Sequence, residues 1–403
     1  MNSKHKNSVT ALDVNDPKWP YFAEDEINAV IKVLKSGKVN YWTGQEIKLF
    51  EKEFAAAAGC KYAVALSNGT VALEIALHSL GLGPGDEVIV TPRTFIASAS
   101  SAVIQGIIPI FADVDIDSGN ITADTIKPMI SSRTKAIIVV HLAGWPCDMD
   151  PILDLARKHN LKVIEDCAQC HGATYKGQPC GSFGDIAAWS FCQDKIMTTG
   201  GEGGMLTTNN KAVWDSAWSF RDHGKSYDEV NKENHALGFK WLHNSFGSNC
   251  RMTEMQAAIG RIQLNKLDAW ILARRRNAAI LVNKLSNLPG IRIPIPDSET
   301  GHSYYKFYVY MIPDANKPQW SRTQIMEDCH KRNIPCFSGC CGEIYLENAF
   351  INLGLQPSER LPAAKELGET SLMFPVHPTL TEDHMYAYAQ LLYDVFKENW
   401  NRS

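Results

Sequence analysis

Lys195 ends the run Trp189-Ser190-Phe191-Cys192-Gln193-Asp194-Lys195, and Thr198-Thr199-Gly200-Gly201-Glu202-Gly203-Gly204 follows it. An amine in a crowded loop, with glycines removing side-chain bulk around it, can lose its proton and attack a carbonyl. That is how lysines make Schiff bases. Most lysines are solvated surface charges, so one lysine carries little weight by itself. Two further stretches give it company. Ser67-Asn68-Gly69-Thr70 joins an apolar run to a helical pattern. Gly69 lets the backbone approach a ligand, Thr70 can cap the helix, and a helix start with free N–H groups is an anion site. By itself the stretch also reads as an ordinary capped turn. Glu165-Asp166 closes the apolar run Val163-Ile164, and a carboxylate buried there needs a cation or strong donors. A structural salt bridge would satisfy it equally, and periodicity leaves open which of the two acids points inward.

Taken together, these are an anion cradle at 67–70, a carboxylate at 165–166 and a reactive amine at 195. Pyridoxal 5'-phosphate has a phosphate, a ring nitrogen that pairs with a carboxylate, and an aldehyde that condenses with a lysine. One cofactor accounts for all three. The glycines at 200–204 precede a strand pattern rather than a helix, which argues against a dinucleotide fingerprint, and no Walker loop occurs.

These groups need a scaffold that delivers them to one place. Between residues 62 and 208 the chain alternates strand and helix patterns, with strands expected at 63–66, 88–91, 108–112, 136–141, 162–166, 185–190 and 205–208. Runs rich in Val and Ile without strict alternation suit a mostly parallel α/β sheet sandwiched by helices, whose ligands gather beyond the carboxyl ends of the strands. Helices are expected at 23–36, up to Gly59, at 71–80 and at 151–159. A long one starts after Thr253, where Thr253 and Gln256 have capping-box spacing. Its Arg274-Arg275-Arg276 run reads as a solvated face. A strand at 304–311 and helices at 323–331 and 382–399 suggest a smaller α+β domain. The expected organisation is an N-terminal arm at 1–22, a large domain at 23–260, and a linking helix with a small domain at 261–403.

The 403 residues, 45% hydrophobic and 21% charged with a net charge of −4, describe an ordinary globular protein. They offer no electrostatic case for nucleic acid or an anionic membrane. No signal peptide or membrane-length apolar run is visible, so a cytoplasmic location is expected. Eleven cysteines without framework spacing read as reduced thiols. Cys167-Ala168-Gln169-Cys170-His171 matches the haem-attachment pattern, but such attachment needs an exported chain, and a redox dithiol would open a helix. No metal site is expected.

The motif set resembles the DegT/DnrJ/EryC1/StrS family of sugar aminotransferases, which have the aspartate-aminotransferase fold (fold type I of pyridoxal phosphate enzymes). The resemblance rests on Ser67-Asn68-Gly69-Thr70, Gly83-Pro84-Gly85-Asp86-Glu87-Val88, Thr94-Phe95, His141-Leu142-Ala143-Gly144, Ile164-Glu165-Asp166-Cys167-Ala168-Gln169, Lys195 with its glycines, and Asn249-Cys250-Arg251-Met252-Thr253-Glu254-Met255-Gln256. It implies that Gly69, Thr70 and Ser190 hold the cofactor phosphate, that Phe95 stacks on the ring, that Asp166 pairs with the ring nitrogen, and that Gln169 bonds the ring hydroxyl. Asn249 would reach the phosphate of a neighbouring subunit, making a homodimer with shared sites. Relatives that dehydrate sugars carry histidine in place of the lysine. With Lys195 present, the resemblance implies transamination.

The implied reaction takes an amino group from L-glutamate, stores it as pyridoxamine phosphate, and passes it to a keto-sugar on a nucleotide for glycan biosynthesis. Lys195 would move the proton. The acceptor is expected to be a UDP- or dTDP-4-keto-6-deoxyhexose. On subgroup resemblance, UDP-2-acetamido-2,6-dideoxy-4-keto-hexose comes first. Substrate contacts are expected from Trp42 and Thr43 in an aromatic turn, from Arg93, and from Glu343 and Tyr345 in the stretch where relatives vary. A 3-keto-sugar or cyclitol aminotransferase is the nearest alternative, and a non-catalytic cofactor-binding regulator the more distant one.

Overall fold

A computed structural model describes residues 18–232, 240–314, 316–317, 320–340 and 342–402. Most of the expected N-terminal arm, and Cys341, lie outside the described residues.

Seven strands form the main sheet, in the order Tyr62–Leu66, Gly204–Thr208, Ile186–Ser190, Lys162–Asp166, Thr134–Val140, Glu87–Val90, Ile108–Phe111. All seven expected strands are present, with ends moved by no more than two residues. Gly204–Thr208 is antiparallel to both of its neighbours, and the other pairings are parallel. The sheet is therefore mixed but mostly parallel, and every residue of Ile186–Ser190 and of Gly204–Thr208 is buried. Such strands must be apolar on both faces, which is why their sequences lack alternation. One consequence bears on chemistry. Tyr62–Leu66, Glu87–Val90, Lys162–Asp166 and Ile186–Ser190 all point the same way, so the segments after them meet at one end of the sheet.

A second, antiparallel sheet pairs Ile291–Arg292, Phe307–Met311 and Ser371–Phe374. Its core includes Phe307, Val309, Leu372 and Phe374, closed by helices Arg322–Lys331 and Glu382–Arg402 through Ile325, Leu392 and Phe396. The helix Glu254–Leu285 joins the two cores. Leu267 and Ile271 pack on the main core, and Ala278, Leu281 and Leu285 on the smaller one. Thr253 caps it, and the reciprocal bond of Gln256 is present. Ile344, Tyr345 and Phe350 pack on the main core, although they belong to the stretch assigned above to the small domain.

Three local expectations fail for physical reasons. The helix after Ser67 is Gly69–Ser79, and its cap is Asn68, whose side chain accepts from the Val71 amide, not Thr70. The strand expected from 304 begins at Phe307, because Tyr304 takes φ 48°, a left-handed conformation that ends pleated pairing. The triple arginine is not uniformly solvated. Arg274 is buried and donates to the carbonyls of Tyr304 and Tyr305, whereas Arg276 is exposed. Successive helical residues point about 100° apart, so three in a row cannot share one face. No helix among the described residues is long and apolar enough to cross a membrane.

Candidate active site

The first turn of Gly69–Ser79 abuts the end of Ile186–Ser190. A Cβ on Gly69 would lie 2.6 Å from the Ser190 Cβ, so glycine permits the approach. Because Asn68 satisfies the Val71 amide, the Gly69 and Thr70 amides remain as first-turn donors. With the Thr70 and Ser190 hydroxyls they make a cradle of donors at the positive end of a helix.

The adjacent acids at the end of Lys162–Asp166 have opposite fates, as strand alternation requires. Glu165 turns away from the site. It accepts from the amides of Gly181, Phe183 and Gly184 at 2.7–2.8 Å and lies 3.1 Å from His141 Nε2. It is a buried clamp on the 181–184 turn. Asp166 turns toward the site, accepting from Ser98 Oγ at 2.6 Å and from the Ala168 amide at 3.1 Å. Ser98 is in turn bonded to Thr94 Oγ1 at 2.8 Å. Burial pushes the Asp166 carboxyl above its ordinary range. Asp166 makes no ion pair among the described residues. Next along the chain, Gln169 accepts the Ala143 amide at 2.8 Å, which leaves its Nε2 as donor. Ala143 presents that amide from a left-handed turn, φ 57°, in His141-Leu142-Ala143-Gly144.

Lys195 is half-buried. Its backbone amide bonds the Cys192 carbonyl, and its own carbonyl accepts the Trp19 indole N–H at 2.9 Å. Its ammonium lies 4.9 Å from the centre of the Tyr305 ring. Tyr305 donates its hydroxyl to Asp194.

One cavity of about 860 Å³ is lined by Gly69, Thr70, Phe95, Asp166, Gln169, Ser190 and Lys195. Phe95 is 64% exposed, so its ring is available rather than packed in the core. The structure does not bring the other expected residues to this cavity. Trp42 packs on Tyr41, Trp218 and Lys225, and Thr43 bonds Asn40. Arg93 is fully buried near Gly119, Leu142 and Tyr310, away from the cavity. Glu343 and Tyr345 are buried and bond each other, with Arg360 on Glu343. Asn249 is exposed, in a bridge with Asp222.

Sequence reasoning missed Thr94 as a polar relay, and it missed Ser98, Asp194, Tyr305, Lys306 and Trp19. Thr94 and Ser98 are four apart, a spacing that brings side chains together at a helix start. Lys306, a lone cation in an aromatic run, was the other usable signal.

The sequence model of the DegT/DnrJ/EryC1/StrS aminotransferase family matches residues 20–391. The chain belongs to that family. It is 39% identical to GDP-perosamine synthase of Caulobacter vibrioides over 343 residues, covering 84% of this chain and 87% of that one. It is 40% identical to dTDP-3-amino-3,6-dideoxy-alpha-D-galactopyranose transaminase of Aneurinibacillus thermoaerophilus, covering 75% and 78%. The crystal structure of an aminotransferase from Psychrobacter cryohalolentis superposes with a TM-score of 0.93 at 54% identity, covering 95% and 99%. The fold is thus that of the pyridoxal phosphate aminotransferases, and pyridoxal phosphate is the cofactor. The residues present fit it. Asp166 is a buried acid with no ion pair among the described residues, and a protonated ring nitrogen would supply one. The donor cradle at Gly69, Thr70 and Ser190 matches a phosphate.

Proposed function

We propose that this aminotransferase moves an amino group from L-glutamate to a nucleotide-linked 4-keto-6-deoxyhexose. The observation that carries the reading is the convergence of Lys195, Asp166 and the Gly69–Thr70–Ser190 cradle on one cavity. Pyridoxal phosphate, when bound, supplies the carbonyl that takes up the amino group and a ring that stabilises the adjacent carbanion. The chain's own residues do the rest. Asp166, held by Ser98 and the Ala168 amide, keeps the ring nitrogen protonated. Gln169, fixed by the Ala143 amide, donates to the ring hydroxyl. The Lys195 amine, tethered at its backbone by Trp19, moves the proton from the donor's Cα.

The names of the two relatives put amino sugars on GDP and on dTDP, which supports a nucleotide sugar as acceptor without fixing the base. Among acceptors we put UDP-2-acetamido-2,6-dideoxy-4-keto-hexose first, on the subgroup motif resemblance, followed by the dTDP-linked sugar. Amination at C3 is the second reading, because the relative from Aneurinibacillus is named for a 3-amino sugar. A homodimer with shared sites belongs to the same proposal. Asn249 is exposed and lines no part of its own chain's cavity, as a residue serving a neighbour would. A cytoplasmic location is also part of it, since nucleotide sugars are made there.

The test is a panel of GDP-, dTDP- and UDP-linked 3-keto and 4-keto sugars with glutamate, read by mass and by NMR of the product. Amination of the UDP-linked 4-keto sugar alone supports the first choice, and turnover of 3-keto sugars alone overturns it. Failure of glutamate to bleach the visible band of the lysine-bound cofactor would point instead to a non-catalytic regulator.

A further inference from the structure

Lys306 shares the cavity with Lys195 and has no ion-pair partner among the described residues. Its ammonium lies 4.8 Å from the centre of the Tyr305 ring, against 4.9 Å for that of Lys195. The two nitrogens are therefore no farther apart than those distances combined. Lys306 lines the cavity and makes neither a hydrogen bond nor an ion pair among the described residues. The acid that bears on it, Asp194, is bonded to the Tyr305 hydroxyl. A second cation, Arg274, is buried close by, and its Nε and Nη2 have no hydrogen-bond partner among the described residues. Burial, Arg274 and Lys195 all work against the Lys306 charge, and its pKa is lowered. Two lysines thus bear on one acid that is already engaged, with a third cation acting on Lys306. A partly desolvated ammonium in such company is costly unless an anion comes to meet it.

We propose that Lys306 is the docking cation for the carboxylate of the amino donor, an inference that rests on the aminotransferase reading above. Two anions visit the cavity in that reading, a carboxylate on the donor and a diphosphate on the acceptor. Both would satisfy an ammonium, and reach separates them. The α-carboxylate of any amino acid is two bonds from the nitrogen it gives up, and that nitrogen must come to where the Lys195 amine stands. The diphosphate is separated from the aminated carbon by the sugar ring. A cation that shares one tyrosine ring with Lys195 is placed for the nearer of the two.

The test separates the two half-reactions in the holoenzyme, with Lys306→Gln and Lys306→Arg beside the wild type. Glutamate alone is added first, and decay of the visible band gives its apparent Kd and limiting rate. The aminated enzyme is then mixed with the keto-sugar nucleotide. Calorimetric titration with glutarate, which has carboxylates and no amine, reads binding without turnover. Loss of a charge-assisted hydrogen bond predicts about a ten-fold or greater rise in the glutamate Kd for Lys306→Gln. The limiting rate and the keto-sugar half-reaction should change less than about three-fold, and Lys306→Arg should recover most of the loss. Glutarate binding should weaken in parallel. Borohydride trapping at Lys195 in Lys306→Gln shows that the site is intact. An unchanged glutamate Kd overturns the proposal, and so does a loss confined to the keto-sugar step, which would give the ammonium to the diphosphate. Wild-type protein that traps the cofactor at Lys195 but answers no amino acid would end the aminotransferase reading as well.

Discussion

On one side of the cavity, Gly69, Asp166 and Ser190 stand at strand ends or at the helix start beside them, with Lys195 in the turn that follows Ile186–Ser190. On the other side, Tyr305, Lys306, Phe337 and Cys340 come from segments that border the small sheet. The first wall is backed by a sheet whose strands are buried on both faces. The second rests on tertiary contacts, such as the Tyr308 hydroxyl accepting the Cys340 amide at 3.0 Å. A rigid wall suits a cofactor that never changes, and an irregular one suits variation in what is brought to it.

If the sheet wall holds the chemistry, its loss should be total. Lys195→Ala should abolish transamination, a fall of at least about 10⁴-fold, together with the visible absorbance. Steady-state assay and absorbance spectra check both. Retained turnover would remove the first wall's claim, and Lys306 would be the amine to examine next.

The neighbouring acids sharpen the contrast within that wall. Asp166→Asn should lower turnover by about 10²–10³-fold, in the range of other charge-stabilising contacts in active sites. It should leave the melting temperature unchanged or higher, because a buried acid without a cation is removed. Glu165→Gln should do the reverse, since its NH2 group would face either the Gly181 amide on one side or the Phe183 and Gly184 amides on the other. A stability loss of about 3 kcal/mol is expected there, with bound cofactor still trapped by borohydride. Denaturant unfolding beside activity reads the exchange, and equal effects from both variants would contradict it.

How far each wall could be read from the chain follows from how it is built. The sheet wall was legible because strand and helix periods set the carboxyl-end positions, and one bond away the chemistry repeats in short motifs such as 67–70 and 165–169. Even there, choosing Asp166 over Glu165 needed resemblance, because alternation gives the fact of opposite faces but not which face is inward. Ser98 was invisible because its role depends on Asp166, 68 residues away. On the far wall nothing is periodic. Tyr305 and Lys306 follow a left-handed residue that no turn motif announced, and away from the cavity Arg93, Glu343 and Tyr345 are polar groups in places that only tertiary packing defines.

Behind each wall lies a buried histidine that resists protonation at neutral pH. His171 packs between Trp189 and Phe191, and burial, with Lys195 and Arg274, holds its pKa down at about 3. His302 accepts the Tyr304 amide through Nδ1, and burial holds it near 3 as well. Both folded values lie below the ordinary 6.5, so the unfolded chain binds these protons first. Stability is then fully present above pH 6.5 and falls as pH drops from there toward 3. Each histidine contributes a slope of up to about 1.4 kcal/mol per pH unit. His171→Phe and His302→Asn should each flatten the unfolding free energy between pH 6.5 and 5. If only one does, the walls differ in dryness as well as in construction.

The smallest effect expected is at Glu343, and it tests where the far wall ends. The family resemblance, which puts a variable stretch here, suggested a substrate contact. In the structure its carboxylate is already engaged by Tyr345 and by Arg360, which also reaches Glu369 at 2.9 Å. The Tyr345 hydroxyl in turn accepts the Leu361 amide at 3.0 Å. These bonds close the 343–361 turn on itself, and Arg360 is partly exposed, so solvent screening limits their strength. Glu343→Gln should cost about 1 kcal/mol or less in stability and change kcat/KM for the keto-sugar by less than about three-fold. A loss above ten-fold that is specific to the sugar half-reaction would mean that the turn opens to meet its substrate, and would extend the adaptable wall from Cys340 to Glu343.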